Sequence, residues 1–466
     1  MRVLLIRPNS KIVKTPPPLG LMYLASFIKQ KGINDVQIID ARRMRLSDGA
    51  LKDKIKKFEP DIVGITGLHF EGNGAHAAAR ITKSLEKKYI VVLGGPYASA
   101  DYKMALEDKS FDYAVVGEGE ESFYELIKCL SEGGNLDGLK GVAYRHNGSY
   151  QYQPRLEYIE DLDSIPHPAW DLIKLDNYFD SRRLSIGNPL QVEIRAVPIF
   201  TSRGCPFGCY YCHNLFGKSV RFRSADNVLQ ELEYLVSKYG VKEIEILDDV
   251  FNIDKDRAKR ICDLIIERGI KIKINFGNGL RADIMDKELI DKLKMAGTYR
   301  MIYGIETGSA RMQNIIGKKL NLNRAKEVIE MTAKKGISTG GFFMMGFPGE
   351  TKKEILSTID FARRSKLHTA SFYYVKPFPG TKLKNNIKDK ELAYNSVEFS
   401  SYNTLSDNLA DIEDEELKNL KRKAYREFYM NIPRIINILK TTPNKVGLFK
   451  NVIGVLRLIF KDTTVN

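Results

Sequence analysis

Three of the five cysteines in this 466-residue chain lie close together, at Cys205, Cys209 and Cys212. The spacing is Cys-x3-Cys-x2-Cys, and the glycine and proline residues on this loop let the backbone fold around a bulky group. A [4Fe–4S] cluster normally takes four thiolate ligands. Cys129 and Cys262, however, fall in predicted helices, where an isolated cysteine is usually a buried structural thiol. We therefore expect an iron–sulfur cluster with three protein ligands and one iron open to a substrate or cofactor.

The same residues leave a zinc site open as an alternative, with His213 as the fourth ligand. Structural zinc sites usually combine two separated pairs of ligands. His213 directly follows Cys212, which is a poor geometry for joint coordination. An oxygen-sensitive brown protein that contains iron and sulfide would favour the cluster over zinc.

Two arrays of alternating strands and helices must position this loop. In the first array, short Val- and Ile-rich runs separated by helical stretches predict strands buried on both faces of a doubly wound parallel sheet. These strands are predicted at 3–6, 36–40, 61–66, 89–95 and 113–117. Ligands of such sheets bind beyond the carboxyl ends of the strands.

The cysteine loop follows the first strand of the second array, which contains six predicted strand–helix units. Its strands are expected near 191–202, 243–249, 271–277, 299–305, 338–345 and 370–375. Six units are too few for an eight-stranded barrel and suit a partial, open (βα)6 barrel of TIM-like type. The predicted divisions of this α/β chain are a Rossmann-like domain over 1–135, a linker over 136–190, the barrel over 191–385 and a basic helical region over 386–466.

Composition restricts the class of protein. Five cysteines do not form a disulfide framework and indicate a reducing compartment, and no apolar stretch is long enough to span a membrane. The net charge is +15, and the last 49 residues contain 11 Lys and Arg residues against two acids. This basic region indicates either an anionic partner, such as a membrane surface or nucleic acid, or a solvated helical face. No nucleic-acid-binding motif accompanies it.

The cysteine motif, with Tyr211 before its last thiol, resembles the hallmark of the radical S-adenosylmethionine (SAM) superfamily. Further stretches match patterns of this superfamily, and the similarity covers Val192 to Lys382. They are LDDVFNID (247–254), GIETGS (304–309), GFFMMGFPGET (341–351) and KPFPGT (376–381). The resemblance implies that the cysteines hold the cluster, that SAM chelates the open iron, and that an electron cleaves SAM to a 5′-deoxyadenosyl radical. It also implies an electron donor such as flavodoxin or ferredoxin.

The resemblance further assigns roles around SAM. Glu306 would hydrogen-bond the ribose, while Asp248 and Asp249 lie where the family receives the SAM amino group, although the Gly-Gly-Glu often found there is missing. The alternative for these two carboxylates is a helix N-terminal cap. The other residues expected around SAM are Tyr211, Gly304, Gly308, Ser309, Gly346, Phe347 and Pro348. Among them, the glycines of GIETGS would admit close backbone approach, and the last three residues would flank the adenine.

The N-terminal array resembles the cobalamin (B12)-binding subfamily over about 1–135, through VVLGGPYAS (91–99) and VVGEGEESF (115–123). The glycines that would let the backbone approach the corrin or its nucleotide tail are Gly94, Gly95, Gly117 and Gly119. Domains that ligate cobalt carry Asp-x-His-x-x-Gly after the first strand, whereas the loop from Pro8 to Gly20 has no His. Cobalamin is therefore expected to bind without a His ligand from this loop. His69 either faces the corrin or is a satisfied loop histidine.

These features predict a cobalamin-dependent radical SAM enzyme that uses a [4Fe–4S] cluster, SAM and cobalamin. The expected reaction is hydrogen abstraction by the deoxyadenosyl radical, followed by methyl transfer from methylcobalamin to an unactivated carbon. Residues 421–439 resemble the branch that contains anaerobic porphyrin cyclases and hopanoid-modifying enzymes. Radical cyclisation or rearrangement of a porphyrin- or lipid-like substrate is therefore the alternative. A non-catalytic, basic nucleic-acid- or membrane-binding protein with a Cys3His zinc clip is the alternative of another class.

The expected partner is a small-molecule or lipid-like substrate rather than nucleic acid, and the expected location is the cytoplasm. The apolar stretch 446–460, interrupted by Lys450 and Arg457, predicts a helix. This helix either rests on an anionic membrane surface or caps the barrel, and periodicity alone does not decide between the two.

Overall fold

The chain forms two compact units in a computed structural model. One comprises Met1–Ser185 with His213–Gly217, and the other comprises Ile186–Cys212 with Lys218–Asn466. The structure describes residues 1–10, 16–179, 190–213, 215–387, 403–449, 452 and 456, with Phe70 described by its backbone alone.

The first unit is built on a seven-stranded sheet of order β2-β1-β3-β4-β5-β6-β7. Its strands are β1 (Val3–Arg7), β2 (Val36–Asp40), β3 (Ile62–Thr66), β4 (Ile90–Gly94), β5 (Tyr113–Val115), β6 (Val142–His146) and β7 (Ser149–Tyr152). Its helices are α1 (Leu19–Gln30), α2 (Ala41–Met44), α3 (Asp48–Phe58), α4 (Gly72–Lys83), α5 (Pro96–Glu107) and α6 (Gly119–Ser131). The strands β1 to β5 are parallel, and β1 buries every side chain. The doubly wound parallel sheet is therefore confirmed, with its switch in strand order between β1 and β3.

The strands β6 and β7 lie in the range predicted as a linker. They extend the sheet as an antiparallel hairpin next to β5. Asn147 and Gly148 form its two-residue turn, and both have positive φ, at 48° and 76°. An Asn-Gly pair is the strongest short-range sequence signal for such a hairpin, so this hairpin was predictable from the sequence.

The second unit is built on a six-stranded sheet of order β15-β14-β13-β12-β11-β8, and its paired strands are parallel. The strands of this unit are β8 (Ala196–Ile199), β9 (Ser202–Arg203), β10 (Arg221–Phe222), β11 (Glu243–Ile246), β12 (Lys273–Leu280), β13 (Thr298–Glu306), β14 (Ser338–Met345) and β15 (Thr369–Tyr374). Its helices are α7 (Ala225–Tyr239), α8 (Lys255–Glu267), α9 (Lys287–Met295), α10 (Ala310–Ile315), α11 (Leu322–Lys334), α12 (Lys352–Arg364), α13 (Lys382–Asn386), α14 (Asp414–Tyr429) and α15 (Ile432–Thr441). The strands β8 and β11 to β15 are in sequential order, which confirms the partial (βα)6 barrel.

Helix α14 covers the open edge of this sheet. The hydroxyl of Tyr425 accepts a hydrogen bond from the backbone N–H of Phe372 at 3.1 Å and donates to its carbonyl at 3.4 Å. The hydroxyl of Tyr429 does the same for Ala370, at 3.0 and 2.9 Å. An unpaired edge strand is a template for pairing with another chain. The two tyrosine hydroxyls occupy the place of a seventh strand and satisfy backbone N–H and carbonyl groups of β15.

The two faces of the barrel sheet are identified by their contacts. The Tyr303 hydroxyl hydrogen-bonds Thr332 of α11 at 2.7 Å, and the Phe343 ring lies 6.3 Å from that of Phe361 of α12. These side chains therefore face the helices. Because side chains alternate along a strand, Gly304 and Phe342 face the opposite side, which is the inner face of the barrel.

A buried glutamate closes the end of the barrel where the strands begin. Glu243 accepts hydrogen bonds from the backbone N–H groups of Val192 at 2.8 Å and Glu193 at 2.7 Å, and from the Tyr299 hydroxyl at 2.5 Å. Burial raises the pKa of Glu243 from 4.5 to about 7, although these hydrogen bonds oppose the shift. The folded chain therefore binds a proton more tightly than the unfolded chain does.

This raised pKa predicts a pH dependence of stability. Below pH 4.5 the proton is bound in both states and the contribution to stability is fully present; it is lost as the pH rises toward 7. We expect the free energy of unfolding in urea to fall between pH 5 and pH 8. The fall should be smaller in Glu243→Gln, whereas a control variant at exposed Glu413 should behave as wild type. An equal fall in Glu243→Gln and wild type would contradict the expectation.

The C-terminal region continues the helical structure as far as it is described. Residues 445–449 are helical, and Leu448 packs against Leu190 and Ile438, whereas Val446 and Phe449 are 69% and 74% exposed. Apart from positions 452 and 456, residues 450–460 lie outside the described part of the chain, so the membrane and barrel-cap interpretations of the 446–460 helix both stay predictions. Among the described residues, none of the helices has the length and hydrophobicity that crossing a bilayer requires.

Candidate functional site

The cysteine loop begins where β8 ends, and Asp248 fixes its start. The Asp248 carboxylate accepts hydrogen bonds from the Thr201 backbone N–H at 2.6 Å, from the Thr201 hydroxyl, and from the Ser202 hydroxyl at 2.7 Å. Asp248 is buried. Its oxygens are thus engaged within the protein, and its role in the structure is to position the loop that leads to Cys205.

Asp249 is the freer of the two carboxylates. Its described hydrogen bond is a long one from the Gly204 backbone N–H, at 3.3 Å, and burial raises its pKa above the ordinary value. Of the pair, Asp249 therefore fits better the expected site of the SAM amino group. The helix-cap interpretation of both residues is wrong, because the side chain that caps α8 belongs to Asp254.

The far side of the cysteine loop rests on the turn after α10. The Tyr210 backbone N–H donates to the Ile316 carbonyl at 3.1 Å. Gly317 lies so close that a Cβ there would come within 2.7 Å of the Gly208 carbonyl oxygen. Arg281 stacks on the Phe207 ring at 3.8 Å and donates to the Lys318 carbonyl at 2.9 Å. The backbone of the loop is therefore held from both sides.

The three thiols form a donor set that fits an iron–sulfur cluster. Burial is the main cause that raises the pKa of Cys205, and burial with the neighbouring Cys209 and Cys205 thiols raises the pKa of Cys212 to about 12. Neighbouring thiols that ionise with difficulty are stabilised as thiolates when they bind a cationic group. Binding of the metal therefore releases the protons of these thiols. Within the described ranges, no group of three His, Cys, Asp or Glu side chains lies close enough together to hold a single metal ion. The assignment of the three cysteines as cluster ligands and the Cys3His zinc alternative therefore both stay predictions.

Lys318, which no motif in the sequence indicated, is a nearly buried cation beside this loop. Its ammonium lies 2.9 Å from the Glu306 carboxylate, and both side chains are nearly buried. Burial opposes the charge, but Glu306 and Cys209 outweigh it and raise the pKa of Lys318 above its ordinary value. The strained backbone of Glu306, with φ at 66°, aims its carboxylate at this cation.

The two glycines of GIETGS, Gly304 and Gly308, lie close to different neighbours that leave no room for a side chain. A Cβ on Gly304 would come within 2.9 Å of both the Glu306 carboxylate and the Lys318 ammonium, so Gly304 makes room for that pair. A Cβ on Gly308 would instead meet the backbone of α12, 2.6 Å from the Ser357 carbonyl oxygen. Ser309 accepts a hydrogen bond from the Met312 backbone N–H and caps α10. Gly308 and Ser309 thus make structural contacts, and their expected place around SAM stays a prediction.

The loop after β14 lies next to the cysteine loop. Phe347 is fully buried, with its ring 5.5 Å from that of Tyr211, and Pro348 is half-buried beside it. Glu350 holds the turn by accepting hydrogen bonds from the Gly346 and Phe347 backbone N–H groups at 2.7 and 3.1 Å. The structure therefore packs the buried side chain of Phe347 against Tyr211, the residue before Cys212, and the expected places of Tyr211, Phe347 and Pro348 around SAM stay predictions.

In the first unit, the four expected glycines again divide into two kinds. A Cβ on Gly94 or Gly117 would meet nothing within 4 Å among the described residues. A Cβ on Gly95, where φ is 83°, would come 2.6 Å from the Thr66 hydroxyl, and one on Gly119 would come 3.0 Å from Leu24. Gly94 and Gly117 therefore border open space at the carboxyl ends of β4 and β5, whereas Gly95 and Gly119 serve packing.

His69 lies half-buried after β3, with its ring edge-on to that of Tyr97 at 5.4 Å. Burial is the main cause that lowers its pKa below the ordinary value. The neutral imidazole thus packs against a side chain of its own unit. Of the first-strand loop, residues 11–15 lie outside the described part of the chain.

Comparisons with known proteins agree with this geometry. The family model of the radical SAM superfamily matches residues 199–362, and that of the B12 binding domain matches residues 9–127. An uncharacterized methyltransferase of Pyrococcus horikoshii is 34% identical over 94% of this chain and 94% of its own length. Cytidylyl-2-hydroxyethylphosphonate methyltransferase of Streptomyces wedmorensis is 28% identical, covering 82% of this chain and 80% of that protein.

Two further matches extend the comparison. Anaerobic magnesium-protoporphyrin IX monomethyl ester cyclase of Rubrivivax gelatinosus is 28% identical over 92% of this chain and 78% of its own length. The structure of OxsB, a cobalamin-dependent S-adenosylmethionine radical enzyme, superposes with a TM-score of 0.75 at 17% identity, covering 100% of this chain and 76% of that one. At 17% identity, the similarity to OxsB supports the fold alone.

A three-cysteine loop at the carboxyl end of the first strand of an open (βα)6 barrel, preceded by a doubly wound domain, defines a class of radical enzymes. The chain belongs to the radical SAM superfamily and carries the B12 binding domain of its cobalamin-binding branch. The predicted family and enzyme class are thereby confirmed.

Proposed function

We propose that this protein is a cobalamin-dependent methyltransferase that acts on an unactivated carbon of a small molecule. The observation that carries the proposal is the loop of Cys205, Cys209 and Cys212 beside the Lys318–Glu306 pair. The 34% identity to an uncharacterized methyltransferase along nearly the whole chain supports the choice of methyl transfer.

Different residues of the barrel would bind the cluster and SAM. The three cysteines would hold a [4Fe–4S] cluster, Asp249 would receive the SAM amino group, and Glu306 would accept a hydrogen bond from the ribose with one oxygen fixed by Lys318. When bound, the cluster supplies the electron that cleaves SAM to a 5′-deoxyadenosyl radical, and cobalamin supplies the methyl group. The buried Phe347 and the turn held by Glu350 would keep water from the adenine side.

The experiment that tests this function uses the full chain, reconstituted anaerobically with iron, sulfide and hydroxocobalamin. With reductant and SAM, a methyltransferase of this type forms 5′-deoxyadenosine together with S-adenosylhomocysteine. Failure to take up the corrin would overturn the proposal that the protein uses cobalamin. Failure to cleave SAM at all would overturn the whole proposed function.

Radical cyclisation is the second candidate, and it is favoured by the match to the Rubrivivax gelatinosus cyclase over 92% of this chain. Its signature in the same assay is 5′-deoxyadenosine without S-adenosylhomocysteine. The two products therefore separate the candidates before the substrate is known.

Lys318 offers a test of the SAM site by binding alone. In Lys318→Met the Glu306 carboxylate loses its cation, and we expect SAM affinity to fall roughly 30-fold, about 2 kcal/mol. Lys318→Arg keeps the charge and should lose less. An unchanged dissociation constant for SAM in Lys318→Met, measured by equilibrium dialysis, would remove Lys318 from the site.

The pair Gly94 and Gly95 offers a matched test of the B12 domain. Gly94→Ala adds a methyl group into open space, so we expect normal thermal stability but weaker uptake of hydroxocobalamin, followed by absorbance. Gly95→Ala strains a left-handed backbone and clashes with Thr66, so we expect a lower melting temperature. Full cobalamin uptake by Gly94→Ala would show that the corrin does not approach there.

A further inference from the structure

Helix α15 presents an apolar face to solvent. Four large apolar side chains on it are between 43% and 73% exposed, namely Ile432, Ile435, Ile436 and Leu439. Their positions are spaced i, i+3, i+4 and i+7, which places them on one face of the helix. We call these four residues the apolar stripe. The exposed face of a helix on a soluble surface is normally polar, so the stripe indicates a binding surface.

The helical segment after α15 continues this exposed apolar surface. Its described apolar side chains Val446, Phe449, Val452 and Leu456 are between 44% and 74% exposed and also keep to one helical face. Leu448 packs in the opposite direction, against Ile438 of α15, so the two segments are in contact. Large exposed apolar patches on a soluble protein mark sites that bind another protein or a membrane.

The charges that border the apolar stripe are positive. Between Glu427 and Asp462 the sequence contains no Asp or Glu. Lys440 and Lys445 are exposed at the end of α15, and the Lys445 ammonium donates a hydrogen bond to the carbonyl of Leu439, a residue of the stripe. An apolar helix face with lysines at its border is the combination that binds an anionic lipid surface.

The end of α12, which packs against α15, adds to this positive charge. Arg434 of α15 donates to the carbonyl of Arg363 at 2.9 Å, so the two helices adjoin. Arg363, Arg364 and Lys366 are all exposed there. The acid among them, Asp360, already accepts hydrogen bonds from both arginines. The surface next to the stripe therefore has an excess of cations.

A second copy of this chain fits the apolar stripe less well than a bilayer does. A two-fold contact would place the stripe against itself. It would also gather Lys440 and Lys445 of both copies at one interface, and α15 offers no acid to pair with them. In a bilayer, lipid phosphates supply the anions and acyl chains surround the apolar side chains.

We propose that α15 and the helical segment after it dock this protein on an anionic lipid bilayer. The apolar stripe enters the acyl boundary, and Lys440 and Lys445 lie at the headgroups. This inference goes beyond the proposed function and does not depend on it, because no residue of the stripe belongs to the candidate cluster or SAM site.

Flotation of the full chain with lipid vesicles in a density gradient tests this docking, since aggregated protein does not float. Vesicles of phosphatidylcholine and phosphatidylglycerol in equal amounts are compared with vesicles of phosphatidylcholine alone. We expect roughly tenfold more protein to float with the anionic vesicles, because lysines near an anionic surface strengthen binding. High salt should reduce this difference, because it screens the attraction.

Two pairs of double variants separate the stripe from apolar exposure in general. Ile435→Ser with Leu439→Ser removes apolar area without changing the charge and should lower the floated fraction roughly tenfold. The matched control replaces Ile266 and Met295, exposed apolar residues of α8 and α9, with Ser and should float as wild type does. Both variants should keep the wild-type melting temperature, because the replaced side chains are exposed. Lys440→Gln with Lys445→Gln should remove the preference for anionic vesicles.

The outcomes separate this inference from its rivals and from the proposed function. Absence of flotation, equal flotation with both kinds of vesicle, or flotation that persists in Ile435→Ser with Leu439→Ser would overturn the docking. A dimer in analytical ultracentrifugation that this variant converts to a monomer, without flotation, would assign the stripe to a second copy instead. Wild-type protein that floats but does not cleave SAM would retain the docking and lose the proposed function, and SAM cleavage without flotation would do the reverse.

Discussion

Replacing Cys209 with Ala should abolish cleavage of SAM and strip the protein of its iron and sulfide. A [4Fe–4S] cluster normally takes four thiolate ligands, and in the proposed site it would have three, so two remaining thiolates would not retain it. The same result is expected for Cys205→Ala and Cys212→Ala. The measurement is iron and sulfide content per chain after anaerobic reconstitution, together with the yield of 5′-deoxyadenosine under reducing conditions.

The remaining cysteines provide the matched control. Cys262 is buried in α8 and Cys129 is half-buried in α6, where its thiol donates to the Asn135 carbonyl at 3.3 Å. Cys262→Ala and Cys129→Ala should keep full iron content and activity. A Cys209→Ala protein that retains its iron, or a Cys262→Ala protein that loses it, would contradict the assignment of ligands.

The largest expected effect on stability is at Arg434. Its buried guanidinium donates to five backbone carbonyl oxygens, those of Ala362, Arg363, Ser365, Leu367 and Phe428. Its carbon lies 3.8 Å from the centre of the Phe428 ring. Two of these carbonyls, those of Ala362 and Arg363, belong to the end of α12, where helix carbonyls lack partners within the helix, and a third belongs to Ser365, the residue that follows it. Burial lowers the pKa of Arg434 to about 10, which leaves it charged at neutral pH.

Arg434→Ala should therefore destabilise the second unit by roughly 4 kcal/mol, because several buried acceptors lose their donor at once. The readouts are urea unfolding followed by circular dichroism and faster proteolysis near α15. Arg422→Ala, which removes a partly exposed cation paired with Glu415, should change stability by less than about 0.5 kcal/mol. Equal unfolding midpoints for Arg434→Ala and Arg422→Ala would show that the contacts of Arg434 are dispensable.

The parts of the fold that the sequence predicted are those with strong local patterns. Runs such as VLLI and DIVGIT indicate strands buried on both faces, and α7 spans the predicted 225–239 because Ser224 caps it and Gly240 ends it in the left-handed conformation. The three-cysteine motif is recognisable in the sequence because a bound cluster dictates the spacing of its ligands, and the assignment of these cysteines as ligands stays a prediction. The β6–β7 hairpin was missed although its Asn-Gly turn was visible in the sequence.

The parts of the site that sequence could not predict depend on distances between segments far apart in the chain. Nothing local distinguishes Asp248 from Asp249, yet the first is saturated by the Thr201–Ser202 backbone and side chains and the second is not. Gly304 and Gly308 are indistinguishable in GIETGS, but one faces a buried ion pair and the other faces α12. Lys318 is one of two adjacent lysines, and only the turn at Gly317 brings its ammonium to Glu306.

The claim on which the account depends is that Cys205, Cys209 and Cys212 hold a cluster with one iron open to SAM. Electron–nuclear double resonance of the one-electron-reduced cluster tests it, with SAM labelled with 15N in the amino group and 17O in the carboxylate. We expect hyperfine coupling of both labels to the cluster in the wild-type protein. A reduced cluster that binds SAM stoichiometrically but shows coupling to neither label would contradict it.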